Sequence, residues 1–315
     1  MKHSLKIVGL LLGMFFLTQL IGIGVIDTYS PEITQVINPE TGELVNKTSY
    51  NLPFGTDPPS ELPSKTALIF SFMFAIIFAV AIMLLLMKYK AELILKLWFF
   101  FVMALALGIT FNAILLKTNF TFTSYFPYIA LLLAFPLAFV KIFKRHILVH
   151  NLTELMIYPG IAAIFVPLLN IWTVMLLLIF ISLYDMYAVW HSGFMQKMAK
   201  YQINKLKIFA GFFIPYLGAK EKKLVEKYKT YKKPPQNKKI KVNVAILGGG
   251  DVVFPIILAG VVLRQMGILS ALIISIGATI ALAALFYASK KGKFYPAMPF
   301  ISAGCFLALG LVYLI

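Results

Sequence analysis

The stretch AILGGGDVVFP, from Ala245 to Pro255, sets three consecutive glycines and an aspartate inside an otherwise apolar run. Glycine is a poor helix former and a carboxylate is costly in hydrocarbon, so the first question is which solvent surrounds this run. The 315 residues are 60% hydrophobic and 13% charged, with a mean hydropathy of +0.87, too apolar for a water-soluble globule. A bilayer core of about 30 Å takes roughly 20 apolar residues to cross. Nine segments approach that length: Leu5–Ile26, Thr66–Met87, Leu93–Leu116, Tyr125–Val140, Leu152–Leu169, Ile171–Val189, Val242–Leu263, Gly267–Ala288 and Pro296–Ile315. The chain therefore reads as an all-α polytopic membrane protein with nine transmembrane helices. Lys2 and Lys6 give the first segment the look of a secretory signal, but its apolar run is long and no small-x-small site precedes Asp27, which favours a retained helix.

Orientation follows from the cationic loops, since positive charge in short flanking segments stays on the cytoplasmic side. Lys88, Lys90 and Lys96, then Lys141, Lys144 and Arg145, then the lysine-rich stretch Lys197–Lys241, then Lys290, Lys291 and Lys293 are each separated by two crossings. All four clusters fall inside, which puts the N terminus in the cytoplasm, the C terminus outside, and the acidic, proline-rich loop from Asp27 to Lys65 outside. Residues 1–189 then form helices one to six, 190–241 a basic cytoplasmic loop and 242–315 helices seven to nine of a single domain. The net charge of +17 is accounted for by this bias and by attraction to anionic lipid, without nucleic-acid binding.

One cysteine, Cys305, and four histidines, His3, His146, His150 and His191, exclude a disulfide framework and offer no close Cys/His zinc spacing. No histidine is embedded beside a candidate nucleophile, and no phosphate-cradling or dinucleotide loop is present. Neither a metal nor another cofactor is expected. The carboxylates can be placed one by one. Six belong to the outer loop, Glu221 and Glu226 to the basic loop, Glu92 to a short inner loop, and Glu154 to the inner end of a crossing. Asp185 and Asp251 remain, and a charge inside a membrane segment marks a pathway or a reactive site.

The sixth segment runs inward and Asp185 lies about five residues before its inner end, roughly 7 Å at 1.5 Å per residue. The seventh runs outward, with Asp251 about ten residues after Lys241. Partial unwinding at Gly248, Gly249 and Gly250 brings the two to similar depth, where facing carboxylates share a proton, the arrangement aspartic proteases use to activate water. Non-helical backbone at that depth is tolerated only when buried or lining a wet cavity.

Three motifs in this order resemble one family, the GxGD intramembrane aspartyl proteases of the presenilin and signal peptide peptidase group, and most closely its compact archaeal homologues. Tyr184-Asp185 is similar to the sixth-helix YD motif, Gly248 to Asp251 to the seventh-helix GxGD, and Pro296-Ala297-Met298 to the PAL motif that opens the ninth helix, with methionine in place of leucine. Leucine and methionine are near in volume, so packing should survive the change. The resemblance implies an Asp185/Asp251 dyad, an archaeal cell membrane, and self-sufficiency without obligatory subunits or loop cleavage, although copies can associate. Taken singly the motifs have plainer readings. Asp251 can cap a helix, Asp185 can hydrogen-bond within a helix interface, Tyr184 can be interfacial, and Pro296 and Pro299 can simply start a helix. A proton-coupled transporter also uses intramembrane carboxylates and broken helices, but such folds repeat them in corresponding halves, and here both aspartates lie in adjacent segments. A catalytically silent scaffold is the third alternative.

Upstream of the glycines, KKIKVNVAIL (Lys238–Leu247) alternates polar and β-branched residues and reads as a short strand. Val242 and Val244 would pair with an unwound substrate helix, with the Pro296–Met298 backbone on the other side, as the resemblance also implies. The expected partners are transmembrane helical substrates of locally weak helicity near the cytoplasmic leaflet, and the bilayer itself. The apolar patch IFAGFFIPYLG (Ile208–Gly218) reads as a stretch lying on the membrane surface or as a plug docked in the site.

Overall fold

The computed structural model describes residues 5–37, 44–59, 65–89, 91–118, 123–144, 146–192, 209–216, 243–289 and 295–314. Among these residues the chain is mostly helical. The helices are α1 (Leu5–Thr28), α2 (Lys65–Lys88), α3 (Glu92–Leu116), α4 (Phe126–Phe139), α5 (Ile147–Phe165), α6 (Ile171–Tyr187), α7 (Gly249–Met266), α8 (Ile268–Ala288) and α9 (Met298–Leu314). One π turn, Val140–Lys144, prolongs α4 and another, Ala188–Ser192, prolongs α6. Seven of the helical stretches are long and apolar enough to cross a membrane. The protein is an integral multi-pass membrane protein, and its surface fits: Leu132, Leu148, Trp172, Leu269 and Leu307 all point outward from the bundle, more exposed apolar area than water tolerates.

Helix α7 occupies the centre, in contact with α1, α5, α6, α8 and α9. Val252, Ile256, Leu258, Ala259 and Val262 are fully covered, so almost every face of this 18-residue helix is core rather than lipid-facing. From α1, the amide of Gln19 donates to Val252 O at 3.1 Å. Helices α8 and α9 approach until backbones touch. A Cβ at Gly304 would stand 2.7 Å from Gly277 O, the small-residue packing that substitutes for a hydrophobic driving force in lipid. Ser182 Oγ donates to Ser302 Oγ at 2.9 Å and ties α6 to α9.

Two antiparallel ribbons correct the expectation of a purely helical chain. Strands β1 (Glu32–Ile37) and β2 (Leu44–Ser49) pair beyond the end of α1. Strands β3 (Gly211–Tyr216) and β4 (Asn243–Gly248) pair at the opposite end of α7, with Gly211 opposite Gly248 and Tyr216 opposite Asn243. The strand expected ahead of the seventh helix is present, and it shortens that helix, which starts at Gly249 rather than near Val242. The glycines therefore do not unwind a helix within the membrane. Gly248 is extended (φ −64°, ψ 148°) and Gly249 and Gly250 already form the first turn. The apolar patch is also corrected. Residues 211–216 form neither a surface-lying stretch nor a plug; they are the partner strand of β4, with Phe212 completely buried. Val242 lies outside the described residues.

Candidate active site

Asp251 is the third residue of α7, counted from Gly248 as the capping residue. Its carboxylate takes the backbone N–H of Gly248, the arm of a capping box that reaches back from the third position to the cap. The plain capping reading of this aspartate is thus part of its geometry, and the cap holds the carboxylate at the mouth of the helix. Packing there is tight. A Cβ at Gly249 would stand 2.6 Å from Tyr158 Oη, while one at Gly250 would meet only Phe254 at an ordinary 3.7 Å. Sterics press hardest on the middle glycine, and a Cβ at Gly248 would also crowd the Asp251 carboxylate, at 3.1 Å from Oδ2.

Asp185 comes from the last turn of α6 and is buried. The backbone N–H of Met298 donates to its Oδ2 at 3.1 Å, and the N–H of Ala297 also donates to it. The sequence PAMP explains why these two. Ala297 O accepts the first helical bond of α9, from Ile301 N, so Ala297 caps the helix and its N–H, like that of Met298, has no intrahelical partner. Pro296 and Pro299 have no N–H at all. Two consecutive free donors at a helix start make a carboxylate seat. The Met298 side chain is buried in the core, so the methionine that stands where the family has leucine packs as a hydrophobe.

Helix α7 packs against both α6 and α9, and the charges of Asp185 and Asp251 interact. By surface area Asp185 is covered, while Asp251 keeps part of its residue surface uncovered. Tyr184, expected beside the site, is 50% exposed and turns away from its neighbour, as consecutive helical residues must.

The β3–β4 ribbon lies directly against this site. Gly249 N donates to Ala210 O at 3.2 Å, and strict alternation along an antiparallel pair then makes Phe212–Leu247, Ile214–Ala245 and Tyr216–Asn243 the hydrogen-bonded pairs. The outer edge of β3 is occupied. His150 Nε2 donates to Gly211 O at 2.8 Å, Asn151 donates to Phe213 O and accepts from Phe213 N, both at 3.0 Å, and Pro215 has no N–H to offer. On β4 the outward groups belong to Val244, Ile246 and Gly248, and those of Val244 and Ile246 have no partner among the described residues. The buried parity of β4 is Ala245 and Leu247, with Ile246 42% exposed.

Sequence reasoning missed a second polar group. Lys141, read as a loop cation, and Glu154, read as a residue near a crossing's end, form a buried ion pair with side chains only 1% exposed each. His150 Nε2 stands 3.7 Å from Glu154 Oε1. The signal was available: His150, Glu154 and Tyr158 recur at every fourth position of α5, which places them on one helix face.

A mostly helical membrane bundle with two carboxylates, each held on backbone N–H groups at a helix start, fits the class of membrane-embedded aspartyl hydrolases. The chain belongs to the signal-peptide peptidase, presenilin aspartyl protease family, whose pattern matches residues 55–314, and it is an intramembrane aspartate protease. Two solved structures of a presenilin family intramembrane aspartate protease share its fold. One, in space group P2, aligns with a TM-score of 0.57 at 17% identity over 99% of this chain and 98% of that one. The other, in space group C222, gives 0.55 at 15% identity over 96% and 94%. No curated protein matches the chain.

Proposed function

We propose that Asp185 and Asp251 are the catalytic dyad of an endopeptidase that hydrolyses peptide bonds within transmembrane segments of membrane proteins or remnant signal peptides. The observation that carries this is the pair of clasps: Asp185 takes the N–H groups of Met298 and Ala297, Asp251 takes that of Gly248, and the charge of Asp185 is felt at Asp251. Two close carboxylates do not both ionise readily, so the dyad works with one proton. The ionised member takes a proton from water as its oxygen attacks the scissile carbonyl carbon, and the protonated member gives its proton to the carbonyl oxygen. On collapse of the tetrahedral intermediate the C–N bond breaks, the leaving nitrogen takes a proton from the dyad, and one hydroxyl of the diol returns its proton to the dyad as the new carbonyl forms, which restores the single shared proton. No cofactor takes part.

The substrate adds as a strand to β4. A transmembrane helix has all its backbone groups bonded internally and must open before attack. Because α5 occupies the outer edge of β3, an opened segment finds its free donors and acceptors on Val244 and Ile246 of β4, the strand that leads into the helix carrying Asp251, with Pro296, Ala297 and Met298 closing the other side. Helices that open easily near the cytoplasmic leaflet are the preferred substrates. In this reading the chain crosses an archaeal cell membrane nine times, with its N terminus inside and its C terminus outside, and works without other subunits. Purified chain reconstituted alone in lipid vesicles should cleave a transmembrane peptide while remaining one band of 35.3 kDa. Cleavage only with an added protein, or only after a cut between β3 and β4, would refute self-sufficiency.

A further inference from the structure

Tyr158 is buried and its hydroxyl has no hydrogen-bond partner among the described residues. A buried hydroxyl left unpaired is costly and calls for an explanation. Its ring is fixed from two sides. It packs edge-on to Phe212 of β3, with centroids 6.0 Å apart and planes at 81°, and it lies over Gly249 so closely that no Cβ fits between them. The hydroxyl feels the charge of two carboxylates, Glu154 first and Asp251 more weakly, and it leans toward Glu154 without reaching full hydrogen-bond geometry. Glu154 already has a cation, since Lys141 Nζ donates to it in a pair sealed from solvent. Among the described residues, Asp251 takes its hydrogen bond from the Gly248 N–H of its own cap.

We propose that Tyr158 is a positioning residue of the dyad: its hydroxyl donates to Asp251 when that carboxylate is ionised, and the Lys141–Glu154 pair beneath it neutralises the competing acceptor and so keeps the hydroxyl free for this bond. This rests on the dyad reading above. A phenol has one proton to donate, a carboxylate already paired with an ammonium gains less from it than one held by a single amide, and the tight seat between Phe212 and Gly249 leaves the ring no third direction. Such a bond orients the reacting oxygen and stabilises the ionised form of Asp251. Among the described residues, the titratable or charged groups facing Asp251 are Asp185 from α6 and Tyr158 from α5; behind Tyr158 stand Glu154 and His150 of α5 and Lys141 from the end of α4.

The test uses the full chain in lipid vesicles with a transmembrane peptide substrate. Tyr158→Phe keeps the ring and its contacts, so KM and the thermal midpoint should stay near wild type while kcat falls about 10- to 100-fold, the usual worth of a hydrogen bond to a charged group. The acid limb of the kcat profile should move to higher pH, because an acceptor stripped of a donor ionises less readily. Gly249→Ala, which keeps the hydroxyl but forces the ring off α7, should move the limb the same way. An unmoved limb in both variants, or a Tyr158→Phe loss that falls equally on KM, kcat and thermal midpoint, would overturn the proposal in favour of plain packing. Asp251→Asn is run alongside: cleavage surviving that change removes the dyad reading itself, whereas cleavage lost in Asp251→Asn with an unaltered Tyr158→Phe removes this inference alone.

Discussion

Asp185 lies in the last turn of α6 and takes its hydrogen bonds from the start of another helix, α9, more than one hundred residues on, whereas Asp251 lies in the first turn of α7 and is held by the cap of its own helix. The first clasp exists only when α6 and α9 are docked. The second is made within four residues and is set as soon as α7 forms. The contrast teaches that one half of the site is local chemistry and the other is assembly, so substitutions around the two aspartates should differ in whether they damage the residue's seat or the bundle that brings the seat to it.

The largest effect removes the chemistry and spares both seats. Asp185→Asn and Asp251→Asn should each lower cleavage of a transmembrane peptide by about 10³-fold or more, as loss of an essential reacting group does in other hydrolases, with little change in thermal midpoint. Full activity in either variant would break the symmetry on which the dyad rests.

A smaller loss, about tenfold in kcat/KM, is expected from Val244→Pro. The N–H of Val244 points away from β3, so proline there leaves the β3–β4 ladder whole and removes a donor from the free edge. Val244→Ala should stay near wild type. Ala245→Pro, one residue on, removes an N–H that bonds β3, and should lower the thermal midpoint as well. If the two proline variants behave alike, the edge of β4 is not where substrate pairs.

Stability should divide the glycines in the same local sense. Gly249→Ala meets the Tyr158 ring and should cost about 1–3 kcal/mol, the usual penalty of forcing bulk into a packed site. Gly250→Ala has room and gains helix propensity, so its thermal midpoint should hold or rise by the equivalent of up to about 1 kcal/mol. The order reversed in a thermal melt in detergent would show that the tight contact at Gly249 is not real. Smallest of all, Met298→Leu should change stability by less than about 1.5 kcal/mol, since the two side chains have similar volume, and leave cleavage near wild type. A large loss would mean that the side chain at 298, and not its N–H alone, decides how Asp185 is seated.

Much of this could be read from residues. Apolar runs of membrane length identify a bundle because the bilayer enforces length and forbids unpaired backbone. Asp185 and Asp251 stood out because a carboxylate in hydrocarbon needs a reason. The strand at Asn243–Gly248 followed from its alternation, and the seat at Ala297 and Met298 is implicit in two prolines three residues apart. Each of these is a local property, fixed by a few neighbouring side chains or by the thickness of the solvent.

What sequence position could not reveal depends on which faces meet. Lys141 looks like any loop lysine until α5 brings Glu154 to it, and Glu154 looks interfacial until both are sealed at 1% exposure. Residues 211–216 are apolar enough for a membrane surface, and only the antiparallel register with β4 makes them a strand whose outer edge Asn151 and His150 of α5 then fill. The three glycines read as a helix break, yet packing shows that one ends a strand, one admits the Tyr158 ring and one simply begins a helix. Burial, pairing and close approach are sums over residues far apart in the chain. The sequence by itself determined the solvent, the helices and the two carboxylates, and only the tertiary structure decided what each carboxylate touches.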